Sequence, residues 1–184
     1  MSAPPEFVEF PKIARFARAC VVTEKIDGTN AQVHITEAGD LFAGSRTRWI
    51  TPAADNYGFA AWVEAHRQEL LALGPGSHFG EWWGAGIQRR YNIGEKRFSL
   101  FNVDRWGDNS QTPRPACCHV VPVLWRGKFE DLRVGEIVEQ LRAGGSVAAP
   151  GFMQPEGVVV FHTASRFSFK KTLEKDDEPK GARR

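Results

Sequence analysis

The sequence predicts an α+β domain built mainly on antiparallel sheet. Short apolar runs alternate with turn residues along most of the chain, two stretches have the apolar spacing of a helix, and no repeat or convincing linker divides the sequence. The 184 residues are enough for one domain with a sizeable core. We therefore expect one domain over residues 1–173, followed by a charged, apolar-poor tail over residues 174–184.

The first half of the chain is predicted to begin with three strands joined by turns. These strands cover residues 20–24, 31–35 and 41–44. Turn-forming residues at 27–29 and 38–40 separate them, and the second turn is typical of a hairpin. Apolar residues then recur at helical spacing over residues 56–73, and the Gly-Pro-Gly sequence at 74–76 ends this helix.

The second half adds further strands around one more helix. The predicted strands cover residues 77–83, 98–104, 120–125, 157–162 and 166–172. The helix covers residues 132–142 and ends at Gly144-Gly145. Because only a short turn separates the last two strands, we expect them to form a hairpin.

Charge, cysteines and hydropathy exclude several classes of protein. The net charge is only +2, so any binding of nucleic acid must come from local clusters of charge. The three cysteines, of which Cys117 and Cys118 are adjacent, form neither a disulfide framework nor a zinc-ligand spacing. No apolar run is long enough to cross a membrane, and the N-terminus has no secretory signal. We expect a reduced, cytoplasmic setting and no membrane association.

Lys25 is the main candidate for a catalytic residue. It ends a predicted strand and is followed by Asp27 and by a turn through Gly28. An unperturbed lysine amine is protonated at neutral pH, so it attacks as a nucleophile only where burial or a neighbouring cation favours the neutral form. The alternative is an exposed lysine before a hairpin turn.

Four other segments place charged residues near strand ends. They are Ser45-Arg46, Phe79-Gly80-Glu81, Glu156-Gly157-Val158-Val159 and Lys170-Lys171. Each one alone is compatible with an ordinary surface charge. Together with Lys25 as the nucleophile, they supply cations that hold oxygens and carboxylates that place a divalent metal. These are the requirements of in-line transfer at a phosphate.

In this order, the five segments resemble the motifs of the covalent nucleotidyltransferase superfamily, which comprises ATP- and NAD-dependent polynucleotide ligases and mRNA capping enzymes. The resemblance covers roughly residues 20–172, and several ordered matches are more specific than any single one. Within the superfamily, the chain is similar to ATP-dependent RNA ligases of the RNA ligase 2-like type. The resemblance implies a nucleotidyltransferase (ATP-grasp-like) adenylation domain with mainly antiparallel sheets and flanking helices.

The resemblance gives the first motif a role at the nucleotide. It implies that Lys25 attacks the α-phosphate of ATP, expels pyrophosphate and holds AMP through a phosphoramidate bond. Glu24 stands where the family contacts adenine, and Asp27 contacts the nucleotide sugar or orients the lysine. Arg46 holds the ribose or a phosphate, a task that suits a guanidinium group.

The later motifs complete the expected nucleotide site. Glu81 is expected to bind the ribose or to help set the metal, and Phe101 or Phe98 to stack on the base. Glu156 matches the carboxylate that the family associates with the metal. The expected cofactors are therefore ATP and Mg²⁺, the cation that most often bridges nucleotide phosphates.

The sixth position of the first motif helps to choose among relatives. Asn30 stands where DNA ligases and capping enzymes generally have arginine and one branch of RNA ligases has asparagine; the alternative is that Asn30 only satisfies the turn.

The family usually has two lysines at alternate positions in its last motif, whereas Lys170 and Lys171 are adjacent. Because neighbouring residues of a strand point to opposite faces, we expect one of them, Lys170, to reach the α-phosphate.

The expected reaction is ligation of nicked or broken RNA. AMP passes from the lysine to an RNA 5′-phosphate, and a 3′-hydroxyl then attacks to seal the strand. The alternatives are a DNA ligase, a capping-type nucleotidyltransferase, or a relative that binds nucleotide or nucleic acid without turnover. The chain ends soon after the last motif, so we expect that either a protein partner supplies a further domain or the single domain suffices.

Aromatic and basic residues also alternate over residues 82–91. This segment contains Trp82, Trp83, Arg89, Arg90 and Tyr91. One interpretation is that the loop stacks on a base and holds phosphates of the nucleic acid. The other is a surface loop whose tryptophans pack beneath it.

Overall fold

The computed structural model of the protein describes residues 6–174 and residue 176, and it consists of two β-sheets with short helices. The strands are β1 Ala19–Lys25, β2 Thr29–Ile35, β3 Leu41–Gly44, β4 Trp49–Ile50, β5 Gly76–Gly84, β6 Lys96–Leu100, β7 Cys118–Val120, β8 Val123–Lys128, β9 Gly157–His162 and β10 Phe167–Thr172. The helices are α1 Phe59–Ala65, α2 Arg67–Leu70, α3 Val103–Trp106 and α4 Val134–Gly144, with 3-10 turns at Leu71–Leu73 and Phe129–Asp131. Most of the predicted tail lies outside the described residues.

The predicted α+β class with mainly antiparallel sheets is confirmed. The first sheet has four strands in the order β10-β9-β1-β8, and all its pairs are antiparallel. The second has six strands in the order β4-β3-β2-β5-β6-β7, and only the pair β6–β7 is parallel. Among the described residues, no helix combines the length and hydropathy needed to cross a bilayer.

Helices cover one face of each sheet. On the second sheet, alternate residues of β2, including Val33 and Ile35, pack against Phe59 and Val63 of α1. On the first sheet, Val22 and Val158 pack against the apolar side of α4, which is formed by Ile137, Val138 and Leu141. The other faces of the two sheets are therefore free to approach each other.

The two sheets meet through a small cluster of buried residues. Val21 of β1 and Ile26, just beyond it, pack against Trp83 of β5 and Tyr91. On β1, Val21, Thr23 and Lys25 lie on the face opposite to that of Val22, and their face points toward the second sheet. This arrangement places Lys25 at the junction between the sheets.

Three predicted elements differ from the structure. The predicted strand 98–104 ends at Leu100, and residues 103–106 form a short helix whose start is capped by Asn102, which accepts a hydrogen bond from the Arg105 amide at 3.0 Å. The predicted strand 120–125 is two strands in different sheets. The predicted helix 56–73 begins at Phe59 and breaks at His66.

The break between β7 and β8 has a simple cause. Pro122 has no amide N–H to donate to a ladder, so the strand is interrupted there. Its carbonyl instead accepts a hydrogen bond from the amide of Glu24 at 2.9 Å. The chain thereby passes from the second sheet to the first beside the Lys25 strand.

Candidate active site

The centre of the candidate site is an ion pair between Lys25 and Glu156. Lys25 is the last residue of β1, and its strand partner is Gly157, the first residue of β9. Glu156 immediately precedes Gly157, so pairing of the two strands brings the two side chains together. Lys25 Nζ lies 2.6 Å from Glu156 Oε2, and the side chains are 21% and 14% exposed. The residue predicted to be the nucleophile and the residue predicted to hold the metal are therefore in direct contact.

The turn after Lys25 is fixed from the second sheet. The amide of Asp27 donates to the Tyr91 hydroxyl at 2.7 Å. Arg89 donates from Nε to Asp27 Oδ2 at 2.9 Å and from a terminal nitrogen to the Gln154 carbonyl at 3.1 Å. Asp27 lies two residues after Lys25, and Gln154 lies two residues before Glu156. Arg89 thus joins the two segments that carry the ion pair.

Gly28 allows the turn to lie against β5. A Cβ atom at this position would collide with the Trp82 carbonyl oxygen and lie 2.7 Å from the Trp83 Cβ. The Gly28 amide donates to Glu81 Oε1 at 3.1 Å. The glycine is therefore required by close approach of two backbones.

Glu81 is the second carboxylate of the site. It lies on β5 opposite Asn30, whose side-chain amide donates to Glu81 Oε2 at 3.3 Å. The pKa of Glu81 is raised to about 7, chiefly by burial; Lys25 and the Gly28 amide lower it, and the charges of Glu156 and Asp27 add smaller increases. Near neutral pH, this carboxyl group is therefore divided between its protonated and its ionised form.

The side chain of Glu24 lies on the opposite face of β1 from Lys25. It is 1% exposed, and its carboxylate accepts hydrogen bonds from Ser146 Oγ at 2.6 Å and from the amides of Val147 at 2.8 Å and Ala148 at 2.9 Å. Burial raises its pKa, against the effect of these three donors. The side chain holds the loop after α4, which leaves any nucleotide contact of Glu24 to its main chain.

The predicted contacts of the nucleotide at Arg46 and Phe101 lie in segments that follow strands of the second sheet. Arg46 is exposed in the turn between β3 and β4. Phe101, just after β6, is 41% exposed, whereas Phe98 is 0% exposed and belongs to the core. Of the two aromatic residues expected to stack on the base, only Phe101 has an accessible ring.

The strand register separates the two lysines of the last motif. Lys170 pairs with Val159, which pairs with Thr23, and Thr23 is two residues before Lys25 on β1. Lys170 therefore lies on the Lys25 face of the sheet. Lys171 lies on the α4 face, where its Nζ contacts Asp176 Oδ2 at 3.0 Å.

The loop of residues 85–95 was the least predictable part of the site. The structure supports the interpretation in which the aromatic residues of the segment 82–91 pack beneath the loop, because Trp82 and Trp83 of β5 and Tyr91 of the loop are each 1% exposed. Their rings cannot stack on a bound base, so the other of the two interpretations does not hold for these three aromatic residues. Gln88, Arg90, Tyr91 and Asn92 all have positive φ angles between 42° and 60°. The sequence did not predict that Arg89 and Tyr91 form hydrogen bonds with Asp27 in the turn after Lys25. No periodic pattern in the sequence indicates these contacts.

No preformed metal cage is present in the part of the chain that the structure describes. It contains no group of three or more His, Cys, Asp or Glu side chains with the spacing of a metal site. Glu156, in contact with Lys25, and Glu81, whose pKa Lys25 lowers, still supply carboxylate oxygens, the ligand type that Mg²⁺ prefers. The donor set fits a cation that takes its other ligands from water and a phosphate chain.

Solved structures of the RNA ligase of Naegleria gruberi have the same fold. A point mutant without ligand matches with a TM-score of 0.60 and 21% identity over 85% of this chain and 50% of that chain. A mutant with ATP and manganese matches with a TM-score of 0.61 and 21% identity over 89% of this chain and 52% of that chain. A mutant with AMP and manganese matches with a TM-score of 0.59 and 20% identity over 85% of this chain and 50% of that chain.

The family follows from a separate comparison. The RNA ligase family model matches residues 18–173, which is most of the chain. The protein therefore belongs to the RNA ligase family. It spans about half the length of the Naegleria gruberi ligase chains that it matches.

Proposed function

We propose that this chain is an ATP-dependent RNA ligase domain that forms a covalent lysyl-AMP on Lys25. The observation that carries the proposal is the Lys25–Glu156 contact of 2.6 Å beside the buried carboxyl of Glu81. It puts an amine and a carboxylate in contact, with a second carboxyl group near them, in a member of the RNA ligase family.

The proposed reaction has three steps. In the first, Lys25 Nζ bonds to the α-phosphorus of ATP, the bond to pyrophosphate breaks, and the amine loses its proton. In the second, the 5′-phosphate of an RNA end takes AMP from the lysine, which regenerates the free amine. In the third, a 3′-hydroxyl attacks that 5′-phosphate, so that a phosphodiester forms and AMP leaves.

The chain's own residues position the nucleotide in this proposal. Arg46 and Lys170 hold phosphate oxygens, and Phe101 stacks on adenine through its exposed ring. Asp27 orients the turn after the lysine, and Asn30, which is exposed and hydrogen-bonded to Glu81, contacts the RNA 5′-phosphate end.

We assign the divalent cation to Glu156, with Glu81 beside it. Mg²⁺ would neutralise charge on the phosphates as they react. We further propose that the substrate is nicked or broken RNA, which makes RNA repair the process. The three cysteines are free thiols, which is consistent with a reduced, cytoplasmic compartment.

Self-adenylylation tests the proposal directly. The protein is incubated with Mg²⁺ and ATP labelled at the α-phosphate, and the products are separated on a denaturing gel. We expect label on the wild type, none on Lys25→Ala and full label on Lys128→Ala, which removes an exposed lysine of β8. Adding 5′-phosphorylated nicked RNA or nicked DNA then shows which strand is sealed. A purified wild type that binds ATP and stays unlabelled would overturn the proposal.

A further inference from the structure

The second sheet exposes a cluster of aromatic side chains on the face that it turns toward the candidate active site. On β2, residues Asn30, Gln32 and His34 share this face, and their strand partners on β5 are Glu81, Phe79 and Ser77. Phe79 is 56% exposed. The exposed surface therefore runs along β2 and β5 from Asn30 and Glu81 to His34 and Ser77.

The cluster is completed by β3 and β4. Phe42 pairs with His34, and Trp49 pairs with Gly44. The ring centroids of these three aromatic residues are 5.9 Å apart for His34–Trp49, 6.0 Å for Phe42–Trp49 and 6.5 Å for His34–Phe42. Phe42 is 47% exposed and Trp49 is 54% exposed. Single exposed aromatic residues are common, but contiguous ones on a sheet face indicate a binding surface.

These rings are held in place while their faces stay open. A Cβ on Gly44 would lie 3.2 Å from the Trp49 ring, so the indole lies across the glycine with its other side turned outward. The His34 ring nitrogen Nδ1 lies 2.9 Å from Ser77 Oγ, to which Gln32 also donates at 2.9 Å. The cluster is therefore positioned before any ligand arrives.

The charge around the cluster favours an anionic partner. Arg46 and Arg48 lie exposed in the turn that joins β3 to β4. Within residues 6–174 and 176, no ion pair or hydrogen bond engages either guanidinium group. Glu81, at the end nearest Lys25, is the one acidic residue among those of this face on β2 and β5. Exposed aromatic faces bordered by arginines are the surface on which single-stranded nucleic acids stack.

We propose that His34, Phe42, Trp49 and Phe79 form a stacking platform for the unpaired bases of the RNA strand next to its reacting end. The platform lies on the same strands as Asn30 and Glu81, and His34 is about 13 Å along β2 from Asn30. Bases stack on Trp49 and Phe42, while Arg48 contacts a phosphate. The inference rests on the proposed function, because it names where the RNA of that reaction is held.

Leucine substitutions test the platform while an apolar side chain remains at each position. Trp49→Leu and Phe42→Leu keep apolar bulk but remove the flat aromatic face. Phe167→Leu is the matched control, because Phe167 is 68% exposed on β10 of the other sheet. The probe is a short 5′-phosphorylated single-stranded RNA with a 3′ fluorophore, and its affinity is measured by fluorescence anisotropy with melting temperature as the check on folding.

We expect each platform variant to bind the RNA about fivefold or more weakly, the loss typical of one stacked base. Phe167→Leu should bind like the wild type, and Arg48→Ala should lower the salt dependence of binding by about one counterion. Self-adenylylation should be unchanged in all of them. Wild-type affinity in both Trp49→Leu and Phe42→Leu would overturn the platform, as would an equal loss in Phe167→Leu. If the wild type failed to adenylylate but its RNA affinity still depended on Trp49, the platform would stand and the proposed chemistry would fall.

Discussion

Lys25 Nζ donates a hydrogen bond to Glu156 Oε2 at 2.6 Å, although the two residues are 131 positions apart in the sequence. The contact depends on the register in which β1 and β9 pair, because Lys25 faces Gly157 across that ladder. The amine is thus aligned by a carboxylate that lies at the start of the neighbouring strand. Removal of either charge should affect the reaction more than the fold.

The first prediction concerns the charge of Glu156. Glu156→Gln keeps the size of the side chain and an oxygen acceptor but removes the negative charge that aligns Lys25. We expect the adenylylation rate to fall about tenfold or more, because small displacements of a reacting group are costly. The free energy of unfolding should fall by about 1–2 kcal/mol, because Lys25 keeps its charge while its side chain is only 21% exposed. Glu139→Gln, which alters an exposed pair with Arg142 on α4, is the control. An unchanged adenylylation rate in Glu156→Gln would contradict this role.

The second prediction is a pH dependence of stability due to Glu81. Burial raises its pKa from 4.5 to about 7, so over this range the folded protein keeps a proton that the unfolded chain has released. The associated stability is fully present below the ordinary glutamate pKa and is lost as the pH rises to about 7. Between about pH 4 and pH 8, the wild type should therefore lose about 2–3 kcal/mol relative to Glu81→Gln.

Urea denaturation at a series of pH values measures this difference. Glu64→Gln, on the exposed side of α1, provides the control and should follow the wild-type curve. If Glu81→Gln lost stability with rising pH as steeply as the wild type, the carboxyl group would not be titrating in this range.

The third prediction concerns the close approach at Gly28. Gly28→Ala adds a methyl group that collides with the Trp82 carbonyl and lies 2.7 Å from the Trp83 Cβ. Since both contacts belong to a buried strand, we expect a loss of stability of about 1–3 kcal/mol and a displaced Lys25 turn. Thermal unfolding and the adenylylation rate both report on it. Gly135→Ala, in α4 with nothing within 4 Å of the added Cβ, should be neutral or slightly stabilising.

Local features of the sequence account for much of the fold. The strands at residues 41–44 and 157–162 have the predicted boundaries, because glycine, proline or aspartate residues delimit short apolar runs there. The ordered motifs also indicated that Lys25 and Glu156 belong to one site. Neither inference needed knowledge of long-range packing.

Contacts between distant segments account for what the sequence did not predict. Glu24 is bonded to the loop at residues 146–148, and Phe98 is in the core while Phe101 is exposed. Such differences depend on which face of a strand meets another element. The interruption at Pro122 likewise separates one apparent apolar run into strands of two sheets.

The last prediction concerns Arg89, which bonds to Asp27 at 2.9 Å and to the Gln154 carbonyl at 3.1 Å. Arg89→Lys keeps the charge, but an ammonium group cannot reproduce the two directed bonds of the guanidinium group. The turn after Lys25 and the segment before Glu156 should then move independently. We expect the adenylylation rate at saturating ATP to fall about tenfold, since small displacements of reacting groups are costly, with little change in the KM for ATP. Arg90→Lys changes a neighbouring arginine that is exposed, and it should react like the wild type. A purely structural role for Arg89 would instead lower the melting temperature and leave the adenylylation rate of the folded protein unchanged.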